Sequence, residues 1–121
     1  RAALARALPA CAVVVHGVAA DMVAWLREHL GDCGLISLDN DLLDPTDAAI
    51  DVGEGRDVAE ALARIAPVCT VILHTSNSTA ARAMAEVLGE AGWALARVVP
   101  HDDLKWVSEW ADLVKRLLPD A

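Results

Sequence analysis

Two carboxylates stand two residues apart in SLDNDL (37–42), Asp39 directly after an apolar run and Asp41 just beyond it. At that spacing both can face the edge of a sheet and share a hard cation such as Mg2+, which takes a few carboxylates and keeps several waters. Further on, LHTSNS (73–78) places His74 at the end of a long apolar run, followed by Thr75, Ser76, Asn77 and Ser78. Hydroxyls and backbone N–H groups at the start of a helix suit an anion or a phosphate. An imidazole beside them can act as acid, base or phosphate donor near neutral pH. His16, after CAVVV, and His101, Asp102 and Asp103, after WALARVV, occupy comparable places. Asp, Ser and Asn are also the usual helix caps, so ordinary capping remains the competing explanation for all these groups. The segment is not an EF-hand: Leu43 and Ile50 fall on liganding positions and the turn glycine is absent. The outer acids at 44, 47, 51, 54 and 57 suit a solvent-facing loop, and Gly53 and Gly55 suit turns.

Such groups act together only if a scaffold brings them to one edge, and the hydrophobic periodicity supplies one. Arg1–Leu8 reads as a short Ala/Leu helix closed by Pro9, and CAVVV (11–15) as a β-branched strand. Met22, Val23, Leu26 and Leu30 recur at helical spacing over 20–30, with His29 placed to favour the helix C-terminus, and LISL (35–38) is the next strand. A helix over 56–66 carries Val58, Leu62 and Ile65 and stops at Pro67. VCTVIL (68–73) is a continuous apolar run of the kind found inside a parallel sheet. Residues 78–91 form an Ala-rich helix capped by Asn77 or Ser78 and ended by Gly92. WALARVV (93–99) is a further strand, and a last helix runs from Asp102 or Asp103 to Leu118. In that helix Leu104, Val107, Ala111, Val114 and Leu118 form a core-facing stripe. Trp106, Trp110, Leu113 and Leu117 form a second stripe, suited either to a neighbouring helix or to a homodimer or partner surface.

Strand–helix alternation with short connections predicts one α/β domain over 1–121, its parallel sheet covered on both faces. A front helix with no strand before it is completed most economically by a first strand upstream of Arg1. That gives a three-layer receiver- or flavodoxin-like (βα)5 fold whose first strand is missing from this chain. Ligands of open α/β sheets bind outside the carboxyl ends of the strands, where Asp39 and His74 fall.

The composition narrows the function classes. Of 121 residues 55% are hydrophobic and 23% charged, which excludes a disordered chain. Ten basic against 18 acidic residues give a formal charge of −8, which argues against nucleic acid and anionic membranes as partners. Mean hydropathy is +0.37, yet the apolar residues are dispersed and no run reaches the roughly 18 needed to span a membrane. No secretory signal opens the sequence, and Cys11, Cys33 and Cys69 are too irregularly spaced for a disulfide framework or a zinc site. A cytoplasmic location with reduced thiols is the expectation.

SLDNDL (37–42), the glycine-led GRDVAEAL (55–62) and VILHTSN (71–77), in that order, resemble the cyclic-phosphate processing receiver family. Its members carry an SLDHDL-type segment, a glycine turn into a helix, and a VHSAN-type segment. The resemblance implies a receiver-like fold, a divalent cation and the processing of cyclic or terminal phosphates. By position, Asp39 stands where receivers hold the phospho-accepting Asp, with Asp41 beside it, while His74 and Asn77 match the family's His and Asn. The acidic pair that follows the family's first strand is expected upstream of Arg1 with that strand, and no Lys ends the last strand, where Arg97 and Lys105 are imperfect substitutes.

The expected function is therefore metal-dependent phosphate handling on a phosphate-containing small molecule. Asp39 and Asp41 hold Mg2+, or Asp39 attacks phosphorus; His74 serves as acid or base; Thr75, Ser76 and Asn77 bind and orient the phosphate. A haloacid-dehalogenase-like phosphatase is an alternative, since DND (39–41), Thr75–Ser76 and Asp102–Asp103 mimic that family's motif order. Its DxD belongs on the opening strand, however. A second alternative is a degenerate receiver that signals or dimerises through Trp106 and Trp110 without catalysis.

Overall fold

In the computed structural model, which describes residues 12–39, 53–100 and 105–118, three of the apolar runs pair into one parallel sheet. The strands are β1 (Leu35–Leu38), β2 (Thr70–Leu73) and β3 (Ala94–Arg97), in spatial order β1-β2-β3. Parallel neighbours require crossover connections, and helices make them. The helix α1 (Ala19–His29) precedes β1, α2 (Gly55–Leu62) precedes β2, α3 (Ser78–Glu90) precedes β3, and α4 (Lys105–Leu117) follows it. The architecture is α/β and consistent with a receiver-like fold.

Alternation along the strands sorts the core into two halves. Ile36 and Leu38 of β1 and Val71 and Leu73 of β2 pack with Leu26 of α1, Val58 and Leu62 of α2 and Met84 and Leu88 of α3. On the opposite face Ile72 meets Trp110, Ala111 and Val114 of α4, with Leu35, Ala96 and Val13 against them. Among the described residues the sheet is thus sandwiched, with α1, α2 and α3 on one side and α4 on the other.

Local chemistry sets the element ends. Glu54 and Asp57, expected as solvated acids, form a capping box on α2, in which the Glu54 N–H donates to Asp57 Oδ2 at 2.8 Å. Gly53 enters that turn with φ +71, where a Cβ would lie 2.9 Å from the Ala19 Cβ. Instead of running to residue 66, α2 ends at Leu62 and tightens through Arg64 N–H to the Ala61 carbonyl and Ile65 N–H to the Leu62 carbonyl. Pro67 disfavours helix at the residue before it, which leaves those turns to close the segment. Asn77 caps α3, accepting the Ala80 N–H at 3.0 Å, and Gly92, with φ +90, follows its end.

One expected strand is not formed. Residues 12–16 carry no strand, and Val14 and Val15 are exposed. A β-rich composition makes a strand only where a neighbouring ladder accepts it, and the sheet described here consists of three strands without this segment. The expected helix at Arg1–Leu8 lies outside the described residues. So do Cys11, Asp41, the acids at 44, 47 and 51, His101, Asp102, Asp103 and Leu104.

Candidate functional site

The sheet register brings two of the expected groups together. Leu38 pairs with Leu73, and the His74 N–H continues the ladder by donating to the Leu38 carbonyl at 2.8 Å. Asp39 and His74 therefore leave the carboxyl ends of adjacent strands side by side, their backbones separated by about 5 Å, the spacing of neighbouring strands. Asp39 is half-buried and His74 is buried, at 8% exposure.

His74 is built into the α4 side of the sheet. Its Nδ1 lies 2.5 Å from Ser37 Oγ, and Ser37 Oγ also accepts the Trp110 indole N–H at 2.9 Å. The imidazole stacks on Trp106, with centroids 5.9 Å apart and planes 10° from parallel. Burial disfavours the imidazolium and pushes the His74 pKa down to about 4. At neutral pH the ring is neutral, able to accept a proton or to donate one hydrogen bond, but carrying no positive charge.

The turn after His74 divides its residues between structure and solvent. Thr75 is fully buried, and its hydroxyl accepts the Asn77 N–H at 3.1 Å. Asn77 turns its side-chain carbonyl to the α3 cap, while Ser76 and Asn77 are exposed. Of the three residues expected to meet a phosphate, Thr75 shapes the turn, and Ser76 and Asn77 face outward. Arg97, at the end of β3, donates from Nη2 to the Thr75 carbonyl at 2.8 Å, which places a cation beside this turn.

Among the described residues, no group of three or more His, Cys, Asp and Glu side chains is arranged to hold a metal ion. The second carboxylate of the expected cation pair, Asp41, lies outside those residues. His16 does not join this pair: its ring lies 5.8 Å from Trp25, and its Nε2 is buried without a hydrogen-bond partner among the described residues. His29 holds the end of α1 as expected, with Nδ1 2.9 Å from the Trp25 carbonyl. The thiols of Cys33 and Cys69 are half-buried, and burial raises the pKa of both, Cys69 to about 11, which disfavours the reactive thiolate.

The sequence does not single out Ser37, and it assigns Trp106 and Trp110 to a helix contact or a homodimer surface rather than to His74 and Ser37. Most of the second apolar stripe of α4 is not an open surface: Trp110 is buried at 4% exposure and Trp106 and Leu113 are partly buried on the same cluster, while Leu117 is exposed. Trp110 is therefore corrected from a candidate dimer contact to a core residue with a polar task. A groove of about 450 Å3 does lie between β3 and α4, lined by Arg97, Val98, Glu109, Leu113 and Arg116 among others. No helix among the described residues is long and apolar enough to cross a membrane.

The family model described as the cyclic-phosphate processing receiver domain matches residues 5–90, a span that includes Asp39, His74 and Asn77. No curated protein and no solved structure matches the chain.

Proposed function

The chain belongs to the cyclic-phosphate processing receiver family, and on that footing we propose that its strand ends form a site for cyclic or terminal phosphates that works with a divalent cation. The observation that carries this reading is the adjacency of Asp39 and His74 at the carboxyl ends of β1 and β2. Ser76 and Asn77 at the start of α3, and the Arg97 guanidinium on the Thr75 carbonyl, support it. The helix start and the arginine supply the positive potential that a phosphate anion needs in a chain of charge −8.

The donor chemistry of Asp39, with Asp41 two residues on, fits Mg2+, a cation that binds through one or two carboxylates and its own waters. When bound, it would neutralise charge on the phosphate oxygens. Asp39 either holds that cation or attacks phosphorus, in which case a P–O bond to the substrate breaks as the carboxylate–phosphorus bond forms. His74 offers a neutral imidazole to the same phosphate, and Ser76 and Asn77 orient it.

The test is turnover of a panel of cyclic and terminal phosphate esters. Asp39→Asn and His74→Ala are each expected to lower the rate by about 10²–10⁴-fold with the circular dichroism spectrum unchanged. Activity that survives both substitutions removes the reading. A second reading, a non-catalytic receiver, draws on the depth of His74, which is stacked on Trp106 and bonded to Ser37 like a core residue. It predicts no turnover with any ester of the panel.

A further inference from the structure

We infer that Ser37 is a positioning residue that sets which ring nitrogen of His74 carries the proton, leaving Nε2–H as the group presented to a phosphate. The inference rests on the proposed phosphate site for its use, but its geometry stands apart from it. A serine hydroxyl has one hydrogen to give and two lone pairs with which to accept. The Trp110 indole N–H can only donate, so its 2.9 Å contact occupies one lone pair of Ser37 Oγ. His74 Nδ1, 2.5 Å away, is the one acceptor recorded for the remaining hydrogen among the described residues. If Nδ1 were instead protonated, Ser37 Oγ would accept twice and the hydrogen of this part-buried side chain would be left with no protein acceptor among them, which forfeits a hydrogen bond. The hydroxyl hydrogen therefore points to Nδ1, Nδ1 accepts, and the single proton of the neutral ring sits on Nε2.

The three elements involved make this arrangement stiff. Ser37 is fixed in β1, His74 extends β2, and Trp110 is buried on α4. Trp106, one turn before Trp110, lies parallel to the imidazole and limits rotation of the ring. The indole, hydroxyl and imidazole thus form a chain of donors with one direction: Trp110 N–H to Ser37 and Ser37 O–H to Nδ1, which leaves the ring's own proton on Nε2. In this form His74 meets a phosphate oxygen as a hydrogen-bond donor and does not take a proton from the attacking group. The role of base is left to other groups.

Nitrogen-15 NMR of the His74 ring in the full chain at pH 7 reads this without any substrate. The expected spectrum has a protonated Nε2 and an unprotonated Nδ1. In Ser37→Ala, and in Trp110→Phe, which keeps an aromatic ring but removes the N–H, the two nitrogen shifts are expected to move toward each other as both tautomers become populated. A wild-type ring protonated on Nδ1 overturns the inference, as does a folded Ser37→Ala or Trp110→Phe protein whose His74 shifts are unchanged. The Nδ1-protonated wild-type ring does so whether or not the variants fold. Because a neutral histidine favours Nε2–H by itself, the role of Ser37 is read from the variants, of which either one suffices if the other misfolds. Adding inorganic phosphate separates this from the functional reading. A shift of Nε2–H on titration supports both, while a correct tautomer that the variants disturb, with no response to phosphate, upholds the Ser37 assignment and counts against the phosphate site.

Discussion

Acidifying the solution from pH 7 to pH 5 is expected to cost this fold about 2 kcal/mol through His74 alone. The folded imidazole has its pKa pushed down to about 4, chiefly by burial, against 6.5 for an exposed histidine. Above 6.5 both folded and unfolded chains hold a neutral ring, and His74 contributes no pH dependence. Between 6.5 and about 4 the unfolded chain binds a proton that the folded chain refuses, so stability falls as the pH drops. Below about 4 both states are protonated and the loss levels off. With 1.36 kcal/mol per unit, the two-and-a-half-unit gap amounts to about 3 kcal/mol in all, and about 2 kcal/mol of it is spent by pH 5. The assay is urea unfolding at both pH values for the wild type and for His74→Asn, whose amide can still meet Ser37 but does not titrate. The carboxylates titrate in both proteins and cancel in the comparison. The wild type is expected to lose about 2 kcal/mol more than the variant over this interval. Equal losses in the two proteins would refute the claim that His74 is held neutral by burial.

Two further substitutions probe the frame around the site. Trp93 is buried and its indole N–H donates to the Leu62 carbonyl at 3.1 Å, tying β3 to the end of α2. Trp93→Phe leaves that carbonyl without the donor and is expected to lower stability by about 1–3 kcal/mol, read by thermal unfolding. Gly53→Ala forces a left-handed backbone and a 2.9 Å approach to Ala19, so it is expected to cost more than about 1 kcal/mol. A melting temperature equal to that of the wild type would show that the turn before α2 yields freely.

The parts of the fold legible in the sequence were those governed by local periodicity. The four helices and the strands β1, β2 and β3 follow from apolar spacing, and Asp39 and His74 fall at strand ends because each directly follows such a run. Residues 12–16 misled because a β-branched run specifies a willingness to pair, while pairing depends on a neighbour. Glu54 and Asp57 looked like unspecific acids, although an acid at N-cap with a second at N3 is a capping pattern. Ser37 is less legible. A hydroxyl inside the apolar strand LISL must find a partner when the sheet is covered, and that demand was the available signal. Its partners, His74 and Trp110, lie 37 and 73 residues away, separations that no local pattern reaches. The breadth of the apolar face on α4 was visible too. Its cause, two indoles reaching over the sheet to His74 and Ser37, required the structure.

The most direct test of the phosphate-site reading is a calorimetric titration of Mg2+ into the full-length natural protein beside Asp39→Asn. The reading predicts saturable binding to the wild type that disappears in the variant. Saturable binding of equal strength in both proteins, or none in either, would contradict a cation site at the end of β1 and favour a receiver that acts by association alone.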